Sequence, residues 1–324
     1  MASLRDIKNR IRSVKSTQKI TKAMEMIAAS KMRRAQSQAL KGRPYITKLT
    51  EVIDNLVYLS DPPLGHPLLE RHRVIKNIGY IFITANRGLC GSYNSAVIRT
   101  MLEVIAEHKD ANENIVPIGR KGKQSMARSG KKMLAEFETM EEIMTERNEI
   151  NETVLTIGRK GRQSMERIGK KVLADFESMT DKPRFTDTVG ISQIVMDDYI
   201  AGSLDEVYFV YNHFYSVVSQ KPVVEKLLPI TAHREGATEM LKRDYIFEPN
   251  RVQLLDELLR RYVQTIVYQK ILEAIAAEQS ARMMAMRQAS DNATEIISNL
   301  TLHYNKGRQA KITKEILEVV SGNR

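Results

Sequence analysis

Two glycine-rich turns are the stretches of this sequence whose residue types could bind a phosphate group. Gly88–Gly91 lies between a predicted strand and a predicted helix, as a dinucleotide-binding loop does, but it lacks the G-x-G-x-x-G spacing. Gly119–Lys123 is basic and glycine-rich, yet it does not match the G-x-x-x-x-G-K-[ST] spacing of a phosphate loop. We therefore interpret the first as a tight turn and the second as a helix start with a solvated basic turn.

The nucleophilic and metal-binding residue types are too scattered to form a catalytic site. The only cysteine, Cys90, has no histidine beside it in the sequence and is interpreted as a small packed residue. The six histidines show no metal-site spacing: His66, His72, His108, His213, His233 and His303. A Rossmann-type enzyme would need a full glycine fingerprint and an acidic residue about twenty positions later, and neither is apparent. We expect no catalytic residues, no metal and no cofactor.

The longest periodic element is the segment Arg251–Gly322, which contains no proline and begins just after Pro249 and Asn250, where a helix start is expected. Its apolar residues recur at helical spacing: Leu255, Leu258, Tyr262, Ile266, Ile271, Ile275, Met286, Ala289, Ala293, Ile296 and Leu300. A helix of this length would reach roughly 108 Å. A globule of this chain length would be only about 50 Å across, so the sequence predicts either a break in the helix or a rod-shaped molecule.

A second amphipathic helix is predicted at the other end of the chain, over residues 3–41. Its apolar positions are Leu4, Ile7, Ile11, Val14, then Ile20 or Thr21, followed by Met24, Ile27, Met32, Ala35 and Ala39. Gly42 and Pro44 interrupt this pattern, a second periodic piece covers Ile46–Leu59, and Asp61-Pro62-Pro63 ends it. The simplest arrangement is an intramolecular antiparallel pair with the C-terminal helix. The alternative is that each helix packs on the central domain as an ordinary surface helix.

Most of the net charge of +11 lies in the N-terminal helix. Residues 1–41 carry eleven Lys or Arg against Asp6 and Glu25, a net charge of +9. Such a helix favours an anionic partner: nucleic acid, lipid head groups or an acidic protein surface. Aromatic residues are nearly absent there, which argues against stacking on single-stranded nucleic acid.

The middle of the chain, from about Ile75 to Tyr245, is predicted to be an open α/β sheet. Strands are expected at Ile78–Thr84, Ile115–Ile118 and Val207–Tyr211, with a helix that follows the Asn86–Asn94 turn and runs to about His108. We predict three parts: residues 1–60 as an N-terminal helix with a kink near 42–44, residues 75–245 as the α/β domain, and residues 250–324 as the C-terminal helix.

The α/β domain contains a tandem repeat, because residues 102–140 and 141–179 align without gaps. Ile118–Met126 returns as Ile157–Met165, and Leu134–Glu138 returns as Leu173–Glu177. Each copy is interpreted as one helix–strand–helix–strand unit. Two copies are too few for a solenoid. One of them is expected to be an added unit, and either copy could be that unit.

Several motifs resemble the gamma subunit of F-type ATP synthase. Three of them lie in the terminal helices: Ile20–Met32 (ITKAMEMIAASKM), Ala281–Ala293 (ARMMAMRQASDNA) and Tyr304–Ile316 (YNKGRQAKITKEI). The central domain adds Arg87–Gly91 (RGLCG) and two short segments, Ser219–Pro222 and Leu227–Pro229. The likeness covers nearly the whole chain and is of the bacterial type, apart from the repeat, of which the family usually has one copy.

The resemblance implies a rotor: a long antiparallel coiled coil of the terminal helices, called the shaft, and a Rossmann-like open α/β domain, called the foot. The implied partners are the alpha3-beta3 hexamer, the epsilon subunit and the membrane ring of c subunits, with one copy per complex and no nucleic acid. The implied subunit is non-catalytic and needs no cofactor. It would lie at the cytoplasmic face of the bacterial plasma membrane as a peripheral protein, attached through the c-ring, in a proton-translocating complex.

The resemblance also implies which residues contact other subunits. The expected shaft contacts are Lys15, Lys19, Lys22, Met24, Lys31, Arg34, Arg282, Arg308 and Gln309, and the expected foot contacts are Tyr211, Asn212 and Phe214. The competing hypothesis from the residues alone is a basic coiled-coil protein that binds nucleic acid, whose affinity would fall steeply with salt.

Overall fold

The computed structural model describes residues 4–58, 65–73, 75–107, 112–118, 121, 125, 154–156, 172–175, 183–231, 248 and 250–322. Its elements in chain order are α1 Leu4–Tyr58, β1 Asn77–Ile83, α2 Tyr93–Glu107, β2 Asn112–Ile118, β3 Val154–Thr156, β4 Val172–Asp175, α3 Thr186–Ile200, β5 Glu206–Phe214, β6 Gln220–Leu228 and α4 Arg251–Ser321. The predicted helix end at Asp61-Pro62-Pro63, most of the Gly119–Lys123 turn, His108 and His233 lie outside the described residues.

Helix α4 forms as its periodicity predicts, and it begins at the expected residue. The side chain of Asn250 accepts a 2.8 Å hydrogen bond from the backbone N–H of Gln253, which satisfies one of the unpaired donors of the first turn. The helix then continues for 71 residues, roughly 107 Å at 1.5 Å per residue. Its most buried stripe recurs every four residues, at Leu255, Leu259, Val263, Val267 and Ile271.

The predicted stripe of α4 lies beside this buried one. Leu258, Tyr262 and Ile266 are only partly buried and pack against the same core. The first half of α4 is therefore covered on more than one side, which a single coiled-coil seam would not require.

Helices α1 and α4 pair antiparallel within one chain, as predicted. Near one end, Leu4 Cδ2 lies 3.0 Å from where a Cβ on Gly307 would be. In the middle, Gln18 Nε2 donates a 2.7 Å hydrogen bond to Thr294 Oγ1. The family resemblance and the matched seams imply that Leu4–Val14 lies beside Met283–Ile297, but these contacts place it further towards the C-terminus of α4. From here on, the shaft means α1 with α4.

The seam of α1 consists mostly of small residues, with Met32 as the large one. Of Ile20 and Thr21, which the sequence left as alternatives, Thr21 is buried and Ile20 is 58% exposed. Two turns later Ala28 is buried, whereas Ile27, which was expected in the seam, is exposed. Ala35 and Ala39 are also buried. Alanine at these positions leaves room for the two helix backbones to approach closely.

Helix α1 continues through Gly42 and Pro44, where the sequence predicted an interruption. Proline lacks the N–H that would bond the carbonyl four residues earlier, so a helix interior normally loses stability there. Packing compensates for this cost, because Leu49, Ile53 and Leu56 beyond the proline are buried in the same core as α4. The kink expected near 42–44 stays a prediction.

The foot means here α2, α3 and the four-stranded sheet, whose strand order is β2-β1-β5-β6. Strand β1 runs parallel to β2 and β5, and β6 pairs antiparallel with β5. Alternate residues of β1 face opposite sides: Tyr80 and Phe82 pack with α2, whereas Ile81 and Ile83 join the core shared with α3 and the shaft. The sheet therefore lies between α2 on one face and the shaft on the other, which confirms the predicted open α/β domain beside a coiled coil.

The two repeat copies contribute to different sheets. Strand β2 comes from the first copy and pairs with β1 of the foot. Strands β3 and β4 come from the second copy and pair with each other in a separate two-stranded parallel sheet. The counterpart of β4 in the first copy, residues 133–136, lies outside the described residues.

Candidate functional site

Cys90 and the glycine-rich turn around it are structural rather than catalytic. Leu89 and Gly91 adopt positive φ angles of 64° and 57°, which make the turn tight, as predicted. Cys90 is buried, and its Sγ accepts a 3.2 Å hydrogen bond from Asn94 Nδ2. Burial raises the pKa of the Cys90 thiol, an effect that the nearby charge of Arg282 only partly offsets. A buried thiol with a raised pKa is a poor nucleophile.

Three of the four described histidines lie within hydrogen-bonding distance of a carboxylate of the fold. His66 Nε2 lies 3.0 Å from Asp256 Oδ1, His72 Nδ1 lies 2.7 Å from Asp205 Oδ1, and His213 Nδ1 lies 3.0 Å from Glu273 Oε2. Within the described part of the chain, no three His, Cys, Asp or Glu side chains are grouped to hold a metal ion. The functional surfaces therefore have to be sought among exposed residues that could contact another protein.

The first such surface is the outer side of α1. Ten of the eleven basic residues in this helix up to Lys41 are exposed, and Lys31 is half-buried. Ile20, Met26 and Ile27 are each more than half exposed among them. Large apolar side chains mixed with cations are typical of a protein interface, because a nucleic-acid surface is mainly charged and polar. We call this exposed side of residues 5–41 the basic face.

The predicted shaft residues are spread along both helices. On α1, Lys15, Lys19, Lys22 and Arg34 are exposed, whereas Met24 and Lys31 are half-buried. On α4, Arg282 is largely buried and its Nη2 donates a 2.6 Å hydrogen bond to Glu278 Oε1. Arg308 and Gln309 are exposed on α4 beyond Gly307, opposite which α1 begins. The structure therefore does not bring these residues into one cluster.

The second exposed surface is the end of α4. The helix extends beyond Gly307, its contact with the first turn of α1, and residues 308–318 are all exposed. Three large apolar side chains lie on this extension: Ile312, Ile316 and Leu317, the last 62% exposed. The resemblance implies an unpaired helix end from roughly Leu302 onwards, and the contact at Gly307 places its start six residues later. An exposed apolar helix end of this kind is typical of a surface that binds an apolar partner.

The third exposed surface is the turn between β5 and β6. Tyr215 is 58% exposed and Val218 is 79% exposed, and Val217 lies between them. Ser280 of α4 holds this turn, because its Oγ donates a 2.7 Å hydrogen bond to the carbonyl oxygen of Val217. Sequence analysis missed these residues. The signal that was present is a pair of valines within a turn, where polar residues are usual.

Two of the three predicted foot contacts lie inside the fold rather than on its surface. Tyr211 and Asn212 are buried within the chain, at 0% and 2% exposure, so their side chains cannot reach a partner. Asn212 Nδ2 donates to the carbonyl oxygen of Tyr93, and burial, together with the charges of Glu225 and Glu273, raises the pKa of Tyr211 far above its usual value. Phe214 is half-buried against the cluster around Cys90 and Tyr93. The exposed residues lie only a few positions further on, in the turn.

Among the described residues, none of the helices is both long and apolar enough to cross a lipid bilayer. The described residues form a long rod of two helices with a folded foot near one end. Exposed apolar side chains lie on three surfaces: the basic face, the end of α4 and the turn between β5 and β6.

Comparisons with known proteins agree with this geometry. A family model described as ATP synthase matches residues 3–147 and 131–324. The ATP synthase gamma chain of Dehalococcoides mccartyi strain BAV1 is 42% identical over 323 residues, which cover 99% of this chain and 98% of that protein. The gamma chain of Roseiflexus sp. strain RS-1 is 40% identical over 324 residues, with 99% and 98% coverage.

Two solved structures share the fold at low sequence identity. One is a chain of the Euglena gracilis mitochondrial ATP synthase OSCP/F1/c-ring structure in rotational state 3, with a TM-score of 0.57, 16% identity, and coverage of 98% of this chain and 93% of that one. The other belongs to the central stalk and c-ring structure of the Tetrahymena thermophila enzyme, with a TM-score of 0.52, 21% identity, and coverage of 84% and 99%.

Proposed function

The chain belongs to the ATP synthase gamma-chain family, and we propose that it is the rotor shaft that couples rotation of a membrane c-ring to ATP synthesis or hydrolysis at the beta subunits. The observation that carries this proposal is the pairing of α1 with the 71-residue α4 as a rod beside a folded foot. A rod of roughly 107 Å can act on sites far from the foot. A compact binding module of the same chain length could not.

The shaft works by position rather than by chemistry. It stands inside the alpha3-beta3 hexamer, and because its two helices are unequal it presents a different side to each beta subunit. Turning it gives the three beta sites different affinities for ADP, phosphate and ATP. The subunit itself is non-catalytic, and the nucleotide chemistry belongs to beta. The lack of a phosphate-loop spacing in this sequence supports that division.

Each exposed surface has a partner in this arrangement. The basic face of α1 lies towards acidic loops of the beta subunits, with which its charge is complementary. The exposed end of α4 turns in an apolar collar at the far end of the hexamer. The foot, with the turn between β5 and β6, contacts the epsilon subunit and the c-ring.

The chain is attached to a membrane only through the c-ring. The curated relatives named above come from bacteria, so we place the complex at the cytoplasmic face of the plasma membrane, driven by protons, with one copy of this chain per complex. The comparisons give no support to the nucleic-acid-binding alternative, and the apolar residues on the basic face speak against it.

Affinity capture tests the assignment. A tagged copy of this chain, expressed with the alpha and beta subunits of its own complex, should recover both at three copies of each per tag. A variant with Lys15, Lys19 and Lys22 all changed to Glu should recover less, whereas Arg99→Glu, on the exposed side of α2, should not differ from the natural chain. Recovery of nucleic acid without alpha and beta would contradict the proposal.

A further inference from the structure

Most of the contact between the foot and the shaft is apolar. Ile81, Val207 and Phe209 of the sheet share one core with the buried stripe of α4 and with Leu49 and Ile53 of α1. Apolar contact is strong but non-directional. A sheet that rests on two helices through such residues alone has little to fix the angle at which it sits on them.

A group of polar side chains lies in the middle of this contact. The side chain of Glu273 of α4 is only 9% exposed. Its carboxylate lies near side chains of the foot and of α1. Its Oε2 lies 3.0 Å from His213 Nδ1 and 3.3 Å from Tyr211 Oη, both on β5. Its Oε1 accepts a 3.3 Å hydrogen bond from Gln269 Nε2. We call these four residues, together with Arg43, Glu225 and Lys270, the Glu273 cluster.

The cluster extends to α1 on one side. Gln269 Nε2 also donates a 3.0 Å hydrogen bond to the carbonyl oxygen of Ala39. Arg43 Nη2 lies 3.8 Å from Glu273 Oε1, but its side chain is 57% exposed, so this ion pair contributes little. Within the cluster, the directional link from α4 to α1 is therefore the buried amide of Gln269.

The cluster extends to β6 on the other side. Tyr211 Oη donates a 2.9 Å hydrogen bond to Glu225 Oε1 and accepts a 3.0 Å hydrogen bond from Lys270 Nζ. Lys270 of α4 also forms an ion pair with Glu225 of β6. Side chains from both shaft helices and from two strands of the foot thus meet through Glu273 and Tyr211.

Buried polar groups of this kind add little net stability, because removing two charges from water costs about as much as their attraction returns. Their best-attested use is to fix one register among packings of similar energy, since a shifted packing leaves them unpaired. A rotor needs such a fixed register, because rotation of the foot has to turn the shaft by the same angle.

We propose that Glu273 is a positioning residue that fixes the rotational angle of the foot relative to the shaft, through its contacts with β5 and with Gln269. This rests on the proposed rotor function. In the assembled complex, the Glu273 cluster transmits torque from the foot to α4 and α1. The apolar core around the cluster holds the foot on the shaft.

The test uses the full chain assembled with alpha and beta subunits, with a bead attached to the foot. Ser95 lies on the exposed start of α2 and provides the attachment point as Ser95→Cys, with Cys90→Ala to remove the natural thiol. The measurement is the angular variance of the bead during pauses in ATP-driven rotation, which reports the torsional stiffness between foot and hexamer.

We expect Glu273→Leu to widen the angular variance, and Glu273→Gln to give an intermediate value, because the amide keeps the shape and one acceptor oxygen. Glu257→Leu, an exposed acidic residue on the same helix, is the matched control and should leave the variance unchanged. Tyr211→Phe supplies a second test if Glu273→Leu does not assemble, because it removes the hydroxyl contacts from the opposite side.

The outcomes separate this inference from the function. If Glu273→Gln and Tyr211→Phe assemble and show the variance of the natural chain, the cluster does not set the angle and the inference is wrong. If all variants lower the melting temperature equally but leave the variance unchanged, the cluster is only structural, which also contradicts it. A natural chain that fails to assemble or rotate would instead contradict the proposed function.

Discussion

Gln269 of α4 donates a 3.0 Å hydrogen bond from its Nε2 to the carbonyl oxygen of Ala39 in α1. The amide can occupy this place because residue 42 has no side chain. A Cβ on Gly42 would lie 2.9 Å from Gln269 Oε1, closer than a carbon and an oxygen approach without displacement. The glycine in α1 and the glutamine in α4 therefore depend on each other.

Gly42→Ala should show this dependence in the free energy of unfolding. Replacing glycine by alanine within a helix normally stabilises by about 1 kcal/mol. Here it should displace Gln269 from two hydrogen bonds worth about 1 kcal/mol each, for a net loss of roughly 1 kcal/mol. In a Gln269→Ala background the same change should stabilise. Denaturant unfolding of the natural chain, the two single variants and the double variant completes the cycle. If Gly42→Ala changes the free energy of unfolding in the same direction in both backgrounds, the two residues do not depend on each other.

A short cross-link should form between the two shaft helices of one chain. Gln18 and Thr294 are joined by a 2.7 Å hydrogen bond between their side chains. We therefore expect a short bismaleimide reagent to join Gln18→Cys and Thr294→Cys within the monomer after Cys90→Ala removes the natural thiol. Non-reducing gel mobility and peptide mapping detect the product. Gln18→Cys with Asn305→Cys, about three turns further along α4, is the control and should not cross-link. Only dimeric products from the first pair would argue against an intramolecular shaft.

Stability should fall in acid partly because of Asp205. Burial opposes its ionisation, but hydrogen bonds from the Asn77 N–H, the His72 ring and the Lys76 N–H outweigh burial and lower the pKa of this carboxyl. A lowered pKa in the folded state means that the carboxylate stabilises the fold above its unfolded pKa, about 3.9. That contribution is lost as the pH falls through the pKa that Asp205 has in the folded state.

Asp205→Asn should therefore destabilise the chain at neutral pH, and the difference from the natural chain should shrink as the pH is lowered below about 4. Melting temperatures measured across that range test the sign. Asp291→Asn, at an exposed position on α4, serves as a control for general acid effects. A difference that grows with acidity would contradict the assigned role.

The two shaft helices were predictable because their apolar periodicity extends over many turns. Their pattern predicts α4 over Arg251–Gly322, and the structure has it over Arg251–Ser321. The interruption of the apolar pattern at Gly42 and Pro44 does not end α1, because packing of the following residues outweighs local propensity. Helix α3 was missed because its buried residues include Thr188 and Ser192, which weaken the apolar stripe.

The functional surfaces were less predictable than the fold. Tyr211 and Asn212 were assigned to a contact surface, but alternation along β5 does not show which residues the shaft will cover. Strand β6 was not predicted, since Pro222 is unusual in a strand and is tolerated here at the sheet edge. The Glu273 cluster joins residues that are more than two hundred positions apart in the sequence, such as Ala39 and Gln269, and no local pattern reveals such a contact.

The exposed end of α4 should be protected only when the chain is assembled. A single helix without a partner is marginal in water, so backbone amides of residues 308–322 should exchange rapidly in the free chain and slowly in the complex. Hydrogen exchange followed by mass spectrometry measures both states. Ile316→Asp should keep exchange rapid after assembly, whereas the exposed Lys314→Asp is the matched charge control. Equal protection in the free and assembled chain would argue against an apolar collar.

Deleting residues 141–179 should leave a working foot. The first repeat copy already supplies β2 of the foot, and β3 and β4 of the second copy pair only with each other among the described strands. Insertions that close on themselves are tolerated at surfaces because loop-closure entropy grows slowly with length. We expect the shortened chain to assemble with alpha and beta and to couple ATP hydrolysis to proton pumping. A soluble, assembled deletion variant that no longer couples would show that the second copy has a role in the rotor.

The central claim is that this chain turns as the shaft of an ATP synthase. It is tested most directly by watching a bead on the foot while ATP is supplied to an alpha3-beta3 hexamer that is fixed to a surface and assembled with this chain. The account predicts continued rotation in one direction with pauses at three positions per turn, one for each beta subunit. Steady ATP hydrolysis by the assembled hexamer while the foot shows only random angular motion would contradict it.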